Sequence, residues 1–377
     1  AAVRLELSRL PAAARTLLEG AAVAGDPFDP ELAAAGADVA SGEALAALDQ
    51  LAAADLVRAT GAGRQFAFRH PLVRRAVYDA APPAWRLAAH HRVADALAAR
   101  GASPAMRAYH VEHAALPGDE AAIALLTEAA QEAAHSLPAT AARWYEAANR
   151  LLVSDSPWAH AALLGPAAIA LGAAGRLPEA RDRLAEVIEL VGEPSELRTQ
   201  LVAGWGRIEH ILGDNARAAA RLEEELAVAP PASASLLTLE LAVGAIAGSD
   251  PAATERWALQ TLDRVTDDDH DAVRIAALGL AGQALQQRGD PAGAAAFLDE
   301  GARRFAAIDD DTLAVRSEAS YLLGVSEMLS GRYQQAADTT DRGLRVMRRS
   351  RQGALAPLQI ARTYAYKNLL DMDEALR

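Results

Sequence analysis

Apolar positions recur with a helical period near the start of the chain. Leu10, Leu17 and Leu18 form a stripe, Pro11 suits a first helical turn, and Gly25 suits a stop, so a helix is expected over 8–25. Asp26-Pro27-Phe28-Asp29-Pro30 reads as a turn that launches a short helix through Ala35. Ser41-Gly42 opens a third helix with Leu45, Leu48 and Leu51 at threefold spacing. The period then changes. Leu56-Val57-Arg58 and Gln65-Phe66-Ala67-Phe68-Arg69 look extended around Thr60-Gly61-Ala62-Gly63, which predicts a hairpin. Three helices followed by a hairpin make a winged-helix-like module over 1–82, with His70-Pro71 starting one more helix through Ala80. Pro82-Pro83 breaks the chain, and helices are expected at 83–100, 104–116 and 119–136.

A repeat then emerges, clearest in SYLLGVSEMLSGRYQQAADTTDRGL at 320–344. Gly324 sits mid-helix, Gly331 makes the turn, Tyr333 and Ala336 enter a second helix, and Leu344 follows. This arrangement resembles a tetratricopeptide repeat, in which small residues let paired helices approach. The same frame fits Gly282, Gly289 and Ala294, and Gly206, Gly213, Ala218 and Leu226; Gly175 with Ala180 and Gly248 with Ala253 complete it. The marker alanines at 142, 180, 218, 253, 294, 336 and 375 lie 38, 38, 35, 41, 42 and 39 residues apart. Those intervals exceed the roughly 34 residues of a regular tetratricopeptide unit, as in the loosened repeats of large bacterial activators. Leu370 with Ala375 is expected to begin a further unit. The expected fold is mainly α: the winged-helix-like module at 1–82, a helical transition at 83–136, and a right-handed tetratricopeptide-like superhelix at 137–377.

Composition sharpens this picture. Apolar residues make up 51% of the chain but aromatics only 5%, which suits helices packed through thin Ala- and Leu-lined interfaces. No uncharged apolar run reaches the length of a membrane span, and the first residues lack the features of a signal peptide. Both ends are expected to lie inside a longer polypeptide. The absence of Cys removes disulfide, thiolate and zinc-finger chemistry and fits a cytoplasmic protein. The net charge of −13 argues against nucleic-acid binding by the whole chain. From Leu56 to Arg107, however, nine arginines face only Asp79 and Asp95. The single lysine, Lys367, follows no glycine-rich turn, so this stretch of chain carries no phosphate-cradling P-loop.

The stretches LSRLPAAARTLLEGAAVAG, ALAALDQLAAADLV, FAFRHPLVRRAVYDAAPPAWRLAAHHRVADAL and PATAARWYEAANRLL resemble large ATP-binding LuxR-type transcriptional regulators. These belong to the signal-transduction ATPases with numerous domains. The most specific segment is Phe66-x-Phe68-Arg69-His70-Pro71-Leu72-Val73-Arg74. In that family an ATPase core precedes a winged helix, a helical-repeat sensor and a C-terminal helix-turn-helix. The resemblance implies that this chain is the central, non-catalytic part. ATP or ADP would bind the ATPase domain of the same polypeptide, and DNA only a further C-terminal domain. A protein or small-molecule effector would bind the repeats. The alternative is a constitutive interaction scaffold that does not switch.

The resemblance makes His70 the first candidate, as a contact to the phosphate of bound nucleotide, with Arg69, Arg74 and Arg75 adding positive charge at a helix start. The plainer reading of His70 is a helix cap. The arginine-rich 56–107 stretch is a docking surface, a DNA contact or a solvated face; the expected reading helix, ALAALDQLAAADL, carries Asp49 and Asp55 and no Arg, which disfavours DNA. His110 and His113 share one helical face near Glu112, with His90 and His91 upstream, but zinc needs three or four converging ligands, and packed interface histidines are expected. Asp267-Asp268-Asp269-His270-Asp271 and Asp309-Asp310-Asp311 lack the alternation of a calcium loop and read as helix caps. Glu223-Glu224-Glu225 reads as a solvated face. Trp144, Tyr145, Trp205, Trp257, Tyr321 and Tyr333 read mostly as core, one or two of them lining a concave surface. No catalytic or metal constellation is expected.

Overall fold

Helix α1 (Ala12–Ala24) begins one residue after Pro11, which serves as its N-cap, and stops at Gly25 with a φ of 144°. In the loop that follows, Asp29 Oδ1 accepts from Glu31 N at 2.7 Å and caps α2 (Pro30–Ala37). That helix runs two residues past the expected Ala35 because Asp38, at φ 58°, supplies the left-handed stop. Next come α3 (Ser41–Ala53), strands β1 (Val57–Ala59) and β2 (Phe66–Phe68), α4 (Pro71–Ala80), α5 (Pro83–Ala99), α6 (Pro104–Ala114) and α7 (Glu120–Ala133). The computed structural model describes residues 6–7, 9–61, 64–265, 271–349 and 356–369; they form 20 helices and one two-stranded sheet. None of these helices is long and apolar enough to cross a membrane.

The strands pair antiparallel, Val57 with Phe68 and Ala59 with Phe66. The segment expected only as a turn adds a third rung: Phe28 N donates to Phe66 O at 2.7 Å, and Phe66 N returns to Phe28 O at 3.0 Å. Phe28 is thereby buried against the rings of Phe66 and Phe68, joining Leu17, Leu18, Leu48, Leu51 and Leu56 in one core. Glycine sets the closest approach. A Cβ on Gly20 would lie 2.3 Å from the Ala33 carbonyl, so only hydrogen fits between α1 and α2. Helix α5 packs on α2, and Arg92 donates to the carbonyls of Ala35 and Gly36 at that helix's C-terminal end.

The chain divides into two compact units, Ala1–Ala133 with Arg143–Asp155, and Ala134–Ala142 with Ser156–Arg377. After α8 (Pro138–Leu151), the second unit is built from helix pairs. These are α9 (Pro157–Ala173) with α10 (Leu177–Val191), α11 (Glu196–Leu212) with α12 (Asn215–Leu226), and α13 (Ala234–Ala247) with α14 (Pro251–Arg264). Then come α15 (Asp271–Gln287) with α16 (Pro291–Ala307), a short α17 (Asp310–Val315), α18 (Glu318–Leu329) with α19 (Tyr333–Arg349), and α20 (Ala356–Asn368). The insertion of α17 accounts for the long interval before Ala336.

The repeat frame is realised with one correction. Gly175, Gly213, Gly289 and Gly331 turn the pairs at positive φ, but in the third pair Ser249 holds that conformation at φ 60°, not Gly248. The frame there moves by one residue. The small buried position is Thr254, whose hydroxyl bonds the Asp250 carbonyl at 2.8 Å, while Ala253 is only half-buried. Across three of the pairs a glycine faces a buried partner. A Cβ on Gly206 would meet Leu222 at 3.0 Å, on Gly282 Leu298 at 2.8 Å, and on Gly324 Thr340 at 2.7 Å. Both leucines are fully buried, each worth about 1.5–3 kcal/mol. Successive pairs are also tied by ion pairs, Glu189–Arg221, Glu255–Arg288 and Asp299–Arg332. Each contributes little alone. Asp309 caps α17 by accepting from Thr312 N and Oγ1, as expected of that acidic run. Asp267–His270, Leu370 and Ala375 lie outside the described residues.

Candidate functional site

Helix α13, ASLLTLELAVGAIA, carries one charge, Glu240, and buries it to 3% exposure. A carboxylate on so apolar a helix needs a partner. Arg207 of α11 provides it: Nε donates to Glu240 Oε1 at 2.9 Å and Nη2 reaches the same oxygen. That Nη2 also donates to Glu318 Oε1 of α18 at 3.1 Å, and Arg316 approaches the same oxygen at 3.5 Å. The guanidinium therefore joins α11 to α18, three helix pairs further along the chain. The Glu240 and Glu318 charges raise Arg207 well above its ordinary pKa against the opposing effect of burial. Burial acts to raise the Glu318 carboxyl, yet Arg207 and Arg316 overcome it and hold it below the usual carboxylate range. Glu240 Oε2 is buried with no hydrogen-bond partner among the described residues.

These groups sit at one side of a groove of about 390 Å³ between α11, α13, α18, α19 and α20. Its other walls are apolar, from Ile211, Leu239, Val243, Tyr321, Leu322, Met347 and Leu358. His210 completes the polar side. Its Nε2 lies 3.0 Å from the Glu240 carbonyl, which can only accept, so Nε2 carries the proton. Its Nδ1 lies 2.9 Å from Asn215 Oδ1. The ring fits because residue 244 is glycine: a Cβ there would lie 2.4 Å from His210 Cε1. The volume falls within the range of small-molecule sites, which combine apolar walls with a few fixed polar groups.

The candidates in the first unit are placed differently. His70 is exposed and caps α4, its Nδ1 accepting from Leu72 N at 3.1 Å. Arg69 pairs with Glu6 at 3.0 Å, and Arg74 donates to the Ala22 carbonyl at 3.0 Å. Arg74 and Arg75 line a pocket of about 320 Å³ with Asp26, Pro71, Tyr78 and Tyr109; His70 is not among its lining residues. Most of the arginine excess is spent locally: Arg58 on Asp55, Arg75 on Asp79, Arg100 on Asp29 and Glu31, and Arg86 over the Tyr78 ring.

The histidines form a packed cluster. His90 Nδ1 lies 3.0 Å from His110 Nδ1, and His90 Nε2 lies 2.9 Å from the Tyr78 hydroxyl. One proton serves the imidazole–imidazole contact, so the two rings cannot both be cationic. Burial above all, then the neighbouring histidines and arginines, pushes His90 down to about 3 and His110 to about 4. His113 bonds the Tyr109 carbonyl at 2.8 Å, and no three described His, Asp or Glu side chains converge as metal ligands.

Two readings of side chains need adjustment. Glu223 and Glu224 are solvated as expected, but Glu225 is 4% exposed and bonds Arg198 Nε at 2.9 Å. Trp144, Tyr145 and Trp205 are core, and Tyr321 is the aromatic that lines the groove. Arg207, His210, Glu240 and Glu318 were not singled out from sequence. The signal available was the lone glutamate of α13.

No family model and no curated protein matches the chain. Its likeness is to solved helical-repeat structures. Aspartyl phosphate phosphatase F from Bacillus subtilis aligns at 11% identity over 90% of this chain and 80% of that one, with a TM-score of 0.50. A signal-transduction ATPase with numerous domains from Pyrococcus horikoshii, which has a tetratricopeptide repeat sensor, aligns at 13% identity with a TM-score of 0.42. That alignment covers 98% of this chain, which spans 56% of the other. The fold is thus mainly helical and tetratricopeptide-like.

Proposed function

We propose that this chain is the sensor segment of a larger ATP-dependent, LuxR-type transcriptional regulator, binding an effector in the groove of its repeat unit. The observation that carries the reading is the Arg207 bridge. A site assembled from helices three pairs apart changes when the curvature of the stack changes, so an occupant that prefers one arrangement shifts the population toward it. The first unit, read as a winged helix, would relay that shift to an ATPase core elsewhere in the polypeptide. His70 would face nucleotide phosphate through Nε2, since Nδ1 is engaged by the α4 cap. The LuxR-type assignment rests on the sequence resemblance centred on Phe66–Arg74.

The coding sequence on either side tests this first. A G-x-x-x-x-G-K-[ST] motif upstream and a helix-turn-helix downstream are expected; the lack of both would favour the constitutive scaffold. In the full-length protein, His70→Ala should weaken ADP binding with circular dichroism unchanged. Unchanged ADP affinity would reduce His70 to a helix cap.

A further inference from the structure

The groove carries more acidic than basic side chains. Two carboxylates and one guanidinium line it, leaving one negative charge in excess among the lining side chains. Arg316 offsets this only in part, because it reaches Glu318 alone, at 3.5 Å. Glu240 accepts both hydrogen bonds from Arg207 on Oε1, while Oε2 is buried and without a partner among the described residues. An uncompensated carboxylate oxygen of this kind costs free energy that a donor would recover. A ligand carboxylate would instead meet Glu240 and Glu318 beside the one arginine, and that arginine is already held by both.

We propose that the groove binds a small amphipathic amine, its ammonium joining Arg207 between Glu240 and Glu318 and its apolar body lying against Leu239, Val243, Tyr321 and Leu322. The volume of about 390 Å³ suits a compact small molecule, at the low end of ligand pockets. Binding would share the carboxylates between two cations and so loosen the bridge that Arg207 makes to α18. This ligand class rests on the effector-binding reading above, but the two fail separately. The flanking motifs and the His70 variant test the regulator, and the titration below tests the ligand.

The experiment is calorimetric titration of the full chain with phenylbutylamine, phenylbutyrate and phenylbutanol, three probes with one body and different head groups. Saturable binding of the amine is expected, with the acid at least about tenfold weaker, or about 1.4 kcal/mol. Glu240→Gln should weaken the amine by about the same factor and leave the alcohol unaffected. Should Glu240→Gln disturb folding, Val243→Phe fills the groove without touching a charge and should abolish binding of all three probes. Equal or tighter binding of the acid, amine binding indifferent to both variants, or no saturable binding of any probe would overturn the proposal. Binding of a basic peptide in place of the amine would overturn it as well, in favour of a protein partner.

Discussion

Replacing Gly20 by alanine isolates the closest helix contact in the first unit. An ideal Cβ at this position lies 2.3 Å from Ala33 O, 2.7 Å from Ala37 N and 2.8 Å from Ala37 Cβ. Two of these atoms are backbone, so no side-chain rotation relieves the clash; α1 and α2 must separate. Opposite, Gly36 lies against Gly20 itself, and its own Cβ would approach Gly20 O at 3.3 Å, so α2 has little room to slide. Overpacking of this kind costs about 1–3 kcal/mol, and backbone contacts place it toward the upper end. The gain in helix propensity returns about 1 kcal/mol. A net loss of about 1–2 kcal/mol follows, lowering the melting temperature of this unit by about 2–8 °C. Gly204, inside α11 with no atom within 4 Å of its Cβ position, is the control. The same substitution there should stabilise by up to about 1 kcal/mol. Because two units need not unfold together, hydrogen exchange resolved to peptides containing Leu17 and Leu222 should accompany the melt. If Gly20→Ala proved as stabilising as Gly204→Ala, the close approach would not constrain the fold and the argument from glycine spacing would fail.

Acid should weaken the first unit. His90 and His110 have folded-state pKa values below the ordinary 6.5, so the unfolded chain takes up their protons first. Their contribution is complete above pH 6.5 and is lost as pH falls through about 4 and then 3, read as a falling denaturant midpoint between pH 7 and pH 4. Glu327 acts in the opposite direction. Its carboxyl is fully buried, and desolvation outweighs the help of Thr339 and Arg332, raising it to about 7. Stability linked to Glu327 is complete below pH 4.5 and lost as pH rises through about 7, so Glu327→Gln should raise the midpoint at pH 8 and have little effect at pH 5. Ser249→Gly should stabilise the second unit by about 0.5–1 kcal/mol in chemical denaturation, because glycine occupies the left-handed region at lower cost.

Glu327 shows where reading along the chain stops. Glu209 and Glu327 stand three residues after Gly206 and Gly324 in the same repeat frame, and both are buried. Glu209 has Arg181 at 3.9 Å and Arg217 at 3.4 Å, whereas neither oxygen of Glu327 has a well-aligned hydrogen bond. Equivalent sequence positions thus have different electrostatics, because the compensating cations come from neighbouring helices whose distance is a tertiary matter.

Local signals determined a good deal. Periodic leucines, glycine and proline stops and the change to a two-residue period located α1 to α7 and the hairpin to within a few residues, because helix and strand ends are governed by neighbouring side chains and backbone caps. Glycine and alanine spacing located the helix pairs, since a small residue is needed wherever two axes meet closely. Where a residue could do the same job less conspicuously, as Ser249 does in the third turn, the frame was read one position off. The groove is another kind of feature. Arg207, Glu240 and Glu318 come from helices separated by many residues, and nothing local requires them to meet. Only the stacking of the helix pairs brings them together, and only burial leaves one oxygen of an ordinary glutamate in an apolar helix without a partner.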